Sequence, residues 1–93
     1  MPIYYVIVWG RNCLLEYDGR VQRLGFFATR SLVAANAATA AKTAIDSVRS
    51  EFEGCLLNPP DAPPVFAIEE IAEADELRGP NKGATGYPDD DDA

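Results

Sequence analysis

Phe26-Phe27-Ala28-Thr29-Arg30-Ser31-Leu32-Val33-Ala34, then Asn36, then the alanine-rich run from Ala37 to Phe52, is the stretch that decides the fold. Its first part reads as a strand, because aromatic and β-branched residues suit a pleated, half-buried surface. Side chains alternate across a strand. Phe26, Ala28, Arg30, Leu32 and Ala34 therefore share one face, and Phe27, Thr29, Ser31 and Val33 share the other. Arg30 is expected at a rim, or with its aliphatic stem laid over the sheet. Asn36 can accept a hydrogen bond from a free first-turn amide, so a helix is predicted over about 37–53. Gly54 is expected to close it in the left-handed conformation. Ala38, Ala41, Ile45, Val48 and Phe52 follow the 3.6-residue period and form the expected buried stripe. Lys42–Asp46 and Arg49–Glu53 are i,i+4 pairs on the wet face.

Downstream, paired prolines in Asn58-Pro59-Pro60-Asp61-Ala62-Pro63-Pro64 make a stiff extended connector. Val65 to Ile71 then reads as a strand, with Phe66 and Ile68 on one face and Val65, Ala67, Glu69 and Ile71 on the other. Upstream, residues 3–9 (Ile-Tyr-Tyr-Val-Ile-Val-Trp) are strand formers that are apolar on both faces. Such a pattern belongs to a central strand covered on both sides. Asp18-Gly19 is a hairpin-turn dipeptide. It aligns Tyr17 with Arg20, Cys13 with Leu24, Trp9 with Ala28 and Tyr5 with Leu32. One long bent hairpin is expected, about 3–17 with 20–34, with Gly10 and Gly25 as candidate bulge or bend positions; the alternative is a short hairpin with residues 10–24 as a mobile loop.

Joined, these elements give a two-layer α+β domain over residues 1–78, a split β-α-β (ββαβ) arrangement. A three-stranded, mainly antiparallel sheet in order 2-1-3 carries one helix on one face, half of the ferredoxin-like layout. The crossover from strand two to strand three is expected to be right-handed. Residues 79–93 are rich in Gly, Pro and Asp and are expected to form a flexible acidic tail, with Tyr87 able to dock.

Composition narrows the chemistry. The net charge of −7 divides into +3 for residues 1–50 and −10 for residues 51–93. Phosphate affinity needs a net basic face, so nucleic acid is a poor partner, and a basic protein or a second copy fits better. There is no histidine, so the commonest general base and metal ligand are missing. Cys13 and Cys55 lack zinc-site spacing and are expected to be buried free thiols. Glu69 and Glu70 are adjacent on a strand and point apart, so with Glu73, Asp75 and Glu76 they read as a solvated edge. Asp89 to Asp92 lack the spaced ligands and turn glycine of a calcium loop. Gly79 to Gly86 has the glycines of a phosphate loop without its Gly-Lys-Ser/Thr order. No export signal or spanning segment is visible, and a cytoplasmic location is expected.

One helix covers one sheet face. The other face must carry either Ile3, Tyr5, Ile7 and Trp9 or Tyr4, Val6 and Val8. A bare apolar face marks an interface. The expectation is a non-enzymatic homodimeric interaction module without cofactor or metal, with Tyr4, Tyr5, Val6, Ile7, Val8, Trp9 and Arg30 as candidate interface residues. The rival explanation has the Leu77–Tyr87 segment folding over that face. Two other functions compete. One is an acidic inhibitor of a basic nucleic-acid-handling protein, of the immunity or phage-antagonist type. The other is a small-ligand or enzymatic ferredoxin-like dimer, for which Arg30, Glu69 and Tyr5 are the first residues to inspect, without being assigned as a site. Arg20, Arg23 and Arg30 lie on one hairpin arm, placed to receive an anionic partner or an acidic tail.

Overall fold

The Asp18–Gly19 turn folds the chain back on itself, both residues taking the positive φ (57° and 80°) that a two-residue hairpin turn demands. The computed structural model describes residues 1–79 and 81–88, apart from the Tyr17 side chain. In it, β1 (Ile3–Tyr17) and β2 (Arg20–Val33) form the expected long hairpin. An N-capped helix α1 (Ala37–Phe52) follows, then β3 (Val65–Ala74) and β4 (Thr85–Pro88). The sheet is antiparallel with order β3-β1-β2-β4. The three-stranded sheet is thus corrected to four strands, and the fourth comes from the segment expected to be tail. Asp89 to Asp92 lie outside the described residues.

The hairpin keeps the turn-defined register only as far as Cys13↔Leu24. Between Gly10 and Cys13 two residues of β1 face one of β2, and Asn12 takes a φ of 56°. This bulge shifts the register by one residue. Trp9 therefore faces Phe27 rather than Ala28, and Tyr5 faces Ser31 rather than Leu32. The bulge is braced from outside: Asn58 Nδ2 donates to Asn12 O (2.7 Å) and Asn58 Oδ1 accepts from Leu14 N (3.0 Å). The proline-rich connector therefore does more than span distance. A second irregularity in β3, between the partners of Ile7 and Val8, skips Glu69. It returns Ile71 to the face of Phe66 and Ile68, where simple alternation would have placed it opposite.

The core lies between α1 and the face built from Tyr4, Val6, Val8, Phe26 and Ala28. Asn36 caps α1 as expected, its Oδ1 accepting from Thr39 N at 2.8 Å. The buried stripe is Ala40, Ala44 and Val48, with Ala41, Ile45 and Phe52 half-buried beside it and Ala38 exposed. The helix is thus rotated from the stripe expected through Ala38 and Ala41. Small residues along its N-terminal part let its backbone approach the sheet, and Phe52 reaches Phe26 with ring centroids 5.0 Å apart. Gly54 does not take the left-handed conformation; the last turn closes through Cys55 N and Leu56 N donating to Phe52 O. Cys13 is buried and Cys55 exposed, so the expectation of two buried thiols fails at Cys55.

Arg30 is the main surprise inside. It is neither at a rim nor snorkelling but 2 % exposed on the helix face. Its guanidinium donates to Glu51 Oε1 (2.9 Å), Thr29 O (2.8 Å) and Gly83 O (3.3 Å). Glu51 Oε2 in turn accepts from Gly83 N at 2.6 Å. One ion pair thus fastens the last turn of α1 to β2 and to the segment leading into β4.

Candidate interaction surface

The face opposite α1 follows from the register. Ile3, Tyr5, Ile7 and Trp9 of β1 lie beside Val33, Ser31, Thr29 and Phe27 of β2. Ala74, Ala72, Glu70 and Ala67 of β3 flank them on the other side. Alternation on each strand, corrected by the two bulges, sends these side chains away from the helix. The candidate residues therefore split. Tyr5, Ile7 and Trp9 are half-buried on this open face, whereas Tyr4, Val6, Val8 and Arg30 are buried under α1 and leave the candidate surface.

An aromatic row crosses the open face. Trp9 and Phe27 stack with centroids 6.1 Å apart, and Phe27 and Tyr87 with centroids 5.7 Å apart. Trp9 Nε1 donates to the Tyr87 hydroxyl at 2.6 Å. The Arg11 guanidinium lies 4.7 Å from the Trp9 ring centroid, within cation–π reach. The sequence pattern pointed to Trp9; it did not show Phe27, Arg11 and Tyr87 as its neighbours. Phe27 was hidden by the bulge, which decides its face. Tyr87 is brought in by a strand whose only local signal is four residues ending in proline.

The chain between β3 and β4 also passes over this face. Arg78 N donates to Ser31 Oγ at 3.0 Å, and Asn81 brackets Ser31, accepting from its N (2.6 Å) and donating to its O (2.9 Å). The side-chain amide of Asn81 thus stands in for a paired strand on the β2 edge. The segment expected as a rival cover touches this face at Arg78, on Ser31, and at Tyr87, over Gly25, while its Gly83 lies with Arg30 and Glu51 on the helix side. What remains is a patch centred on Ile7, Trp9 and Phe27, the last 39 % exposed, rimmed by Arg11, Thr29 and Glu70.

Tyr87 sits where it does because residue 25 has no side chain; a Cβ there would meet the Tyr87 ring and hydroxyl. β4 is short, so the ring moves rather than β2. Gly25→Ala is therefore expected to lift Tyr87 off, break its bond to Trp9 and lower stability by about 1 kcal/mol. Trp9 is the one tryptophan. Its emission should shift to the red while the far-ultraviolet circular dichroism stays constant; unchanged emission would show that Tyr87 does not shield it.

The residues weighed for chemistry are not assembled. Tyr5 is on the open face, Arg30 lies under the helix, and Glu69 sits exposed at the β3 irregularity. Among the described residues no group of three or more His, Cys, Asp and Glu is placed to hold a metal ion. No helix among them is long and apolar enough to cross a membrane. No protein family, curated protein or solved structure matches this chain.

Proposed function

We propose that this protein is a non-enzymatic interaction module that pairs with a second copy through the open face of its sheet. The observation that carries this reading is the patch of Ile7, Trp9 and Phe27 on the face that α1 does not reach. A two-fold pairing brings the same patch together from both copies. Ile7 lies midway along the β1 row between Ile3 and Arg11, so it sits near the axis of such a pairing. A chain of this size covers only a modest share of its own surface, and association is one way to bury more.

Ile7→Glu tests it. Two like charges near the axis face each other across a drying interface, an arrangement that disfavours pairing by several kcal/mol. Sedimentation velocity is expected to show a dimer for the native protein and a monomer for Ile7→Glu with unchanged circular dichroism. A native protein that sediments as a monomer at every concentration contradicts the reading.

A second reading has its own observation. Glu69, Glu70, Glu73, Asp75 and Glu76 are all exposed on β3 and just beyond it, forming one acidic border. That border suits a basic protein surface, as an inhibitor of a nucleic-acid-handling protein requires. Binding to such a protein at low salt and release in molar salt supports this reading; binding that persists in molar salt opposes it.

A further inference from the structure

We propose that residues 81–88 form a strap that couples the two faces of the sheet, so that the Arg30–Glu51 pair on the helix side positions Tyr87 against Trp9 on the open side. Within the strap only Gly83 and Tyr87 are other than exposed, so these two residues are its inner anchors. The Gly83 anchor lies on the helix side. Its N–H donates to Glu51 Oε2 at 2.6 Å, and its C=O accepts from Arg30 Nη1 at 3.3 Å. Arg30 Nη2 closes the ion pair by donating to Glu51 Oε1 at 2.9 Å. Both backbone polar groups of Gly83 are therefore held by one buried pair. The Tyr87 anchor lies on the open side. Its hydroxyl accepts from Trp9 Nε1 at 2.6 Å, and its ring stacks on Phe27 and fills the space over Gly25.

The β4 ladder joins the two anchors. The Asn81 side chain bonds both N and O of Ser31, so these groups of Ser31 point away from β1. Backbone direction alternates along a strand, so Phe27 and Gly25 point the same way and pair with Thr85 and Tyr87 of β4. The outer edge of β2 is thus closed by Asn81 at Ser31 and by β4 from Phe27 to Leu24, with the Gly83 clamp between them. A short, mostly exposed strand of this kind opens as one unit, at a lower free energy than the core. Loosening Gly83 on the helix side therefore raises the fraction of time that Tyr87 is away from Trp9 on the other side. Such a coupling is reciprocal. A partner that holds Trp9 and Tyr87 together tightens the Gly83 clamp, and a group that draws Glu51 or Arg30 away from Gly83 loosens the aromatic row. Arg30 and Glu51 act here as positioning residues for a surface they do not touch. The coupling depends on contacts within one chain and is independent of pairing through the open face.

Hydrogen exchange read by NMR in the Ile7→Glu background, where the chain is expected to be monomeric, tests it. The reporters are the Gly25 and Phe27 amides, which bond β4, and the Trp9 indole N–H, which bonds Tyr87. Glu51→Gln turns one end of the carboxylate into a donor that faces a donor. All three reporters are expected to exchange at least about tenfold faster in it. Asn81→Ala leaves the ion pair in place and frees the strap from Ser31; it should speed the same three protons. Val48→Ala is the control. It removes buried methyl groups under α1 without touching the strap, lowers overall stability and should leave the three rates unchanged. Unchanged exchange of the Trp9 indole N–H in Glu51→Gln overturns the proposal. So does equal acceleration in Val48→Ala, which would make the effect one of general stability. Acceleration in Glu51→Gln that Asn81→Ala does not share would show a route other than the strap, and overturns it as well.

Discussion

Phe26→Ala is expected to be among the most damaging single substitutions in this protein. The ring is 3 % exposed and joins three elements: β1 through Gly10, α1 through Phe52 at 5.0 Å, and β3 through Phe66 at 6.0 Å. A Cβ at residue 10 would lie 2.6 Å from Phe26 Cζ, so the strand backbone itself is the floor of this site. Neither a strand backbone nor two other rings can collapse far into the space left behind. The expected loss is about 3–5 kcal/mol, against a total of roughly 5–14 kcal/mol for a chain of this length. Urea unfolding followed by circular dichroism should show the midpoint falling without a large change in slope. The adjacent residue is the control. Phe27 lies 39 % exposed on the opposite face of the single chain, and at concentrations low enough to keep the protein monomeric Phe27→Ala should cost less than about 1.5 kcal/mol. Comparable losses at Phe26 and Phe27 would mean that the helix does not cover the face assigned to it.

Glu51→Ala is the second large effect. It removes the counter-charge of a guanidinium that is almost wholly inside, and Arg30 Nε already has no hydrogen-bond partner among the described residues. Removing one member of a buried pair costs about 3–5 kcal/mol because the remaining charge is stranded. One third of the Glu51 side chain stays exposed, so water can approach and the lower end, about 3 kcal/mol, is expected. For a chain of this size that lowers the melting temperature by about 12 °C or more. The pair is asymmetric, and the asymmetry is testable. Arg30→Met removes the buried charge and its unpaired Nε together, leaving a carboxylate that water already reaches. It should cost about 1–2 kcal/mol, less than Glu51→Ala, although Thr29 O and Gly83 O lose a donor. The reverse order in thermal melts would show that the carboxylate is the member held in the interior.

The parts of this fold that were legible in the sequence carry short-range signals. Asp18-Gly19 marked the turn, Asn36 marked the helix start, and the double-sided apolar pattern of residues 3–9 marked the strand now seen between β2 and β3. What was not legible depends on single-residue irregularities. Gly10 marked a bulge or bend, and one lies at Gly10–Cys13, but its one-residue shift is set by Asn12 at positive φ and held by Asn58 from a distant loop, and no local pattern announces that pairing. Yet it decides that Phe27, and not Ala28, shares a face with Trp9. Arg30 occupied an apolar alternation, which the sequence did show; its partner Glu51 lay on the helix among other charges, where nothing singled it out. β4 was missed for a different reason. In Thr85-Gly86-Tyr87-Pro88 two strand formers alternate with a glycine and a proline, which disfavour strands, and the run is held by Gly25 leaving room for Tyr87 and by Trp9 bonding its hydroxyl. The candidate surface was thus half visible: the β1 row was legible, and the aromatic neighbours that turn it into a patch were not.

If a second copy docks on the open face, Trp9, one residue pair from Ile7 in the patch, is covered by it. The emission of Trp9 followed through a dilution series tests it most directly, because the one tryptophan lies in the patch itself. A shift to the red on dilution that tracks the fall from dimer to monomer is expected. Emission that stays constant while the mass halves, or a mass that never exceeds 10.1 kDa, would contradict it.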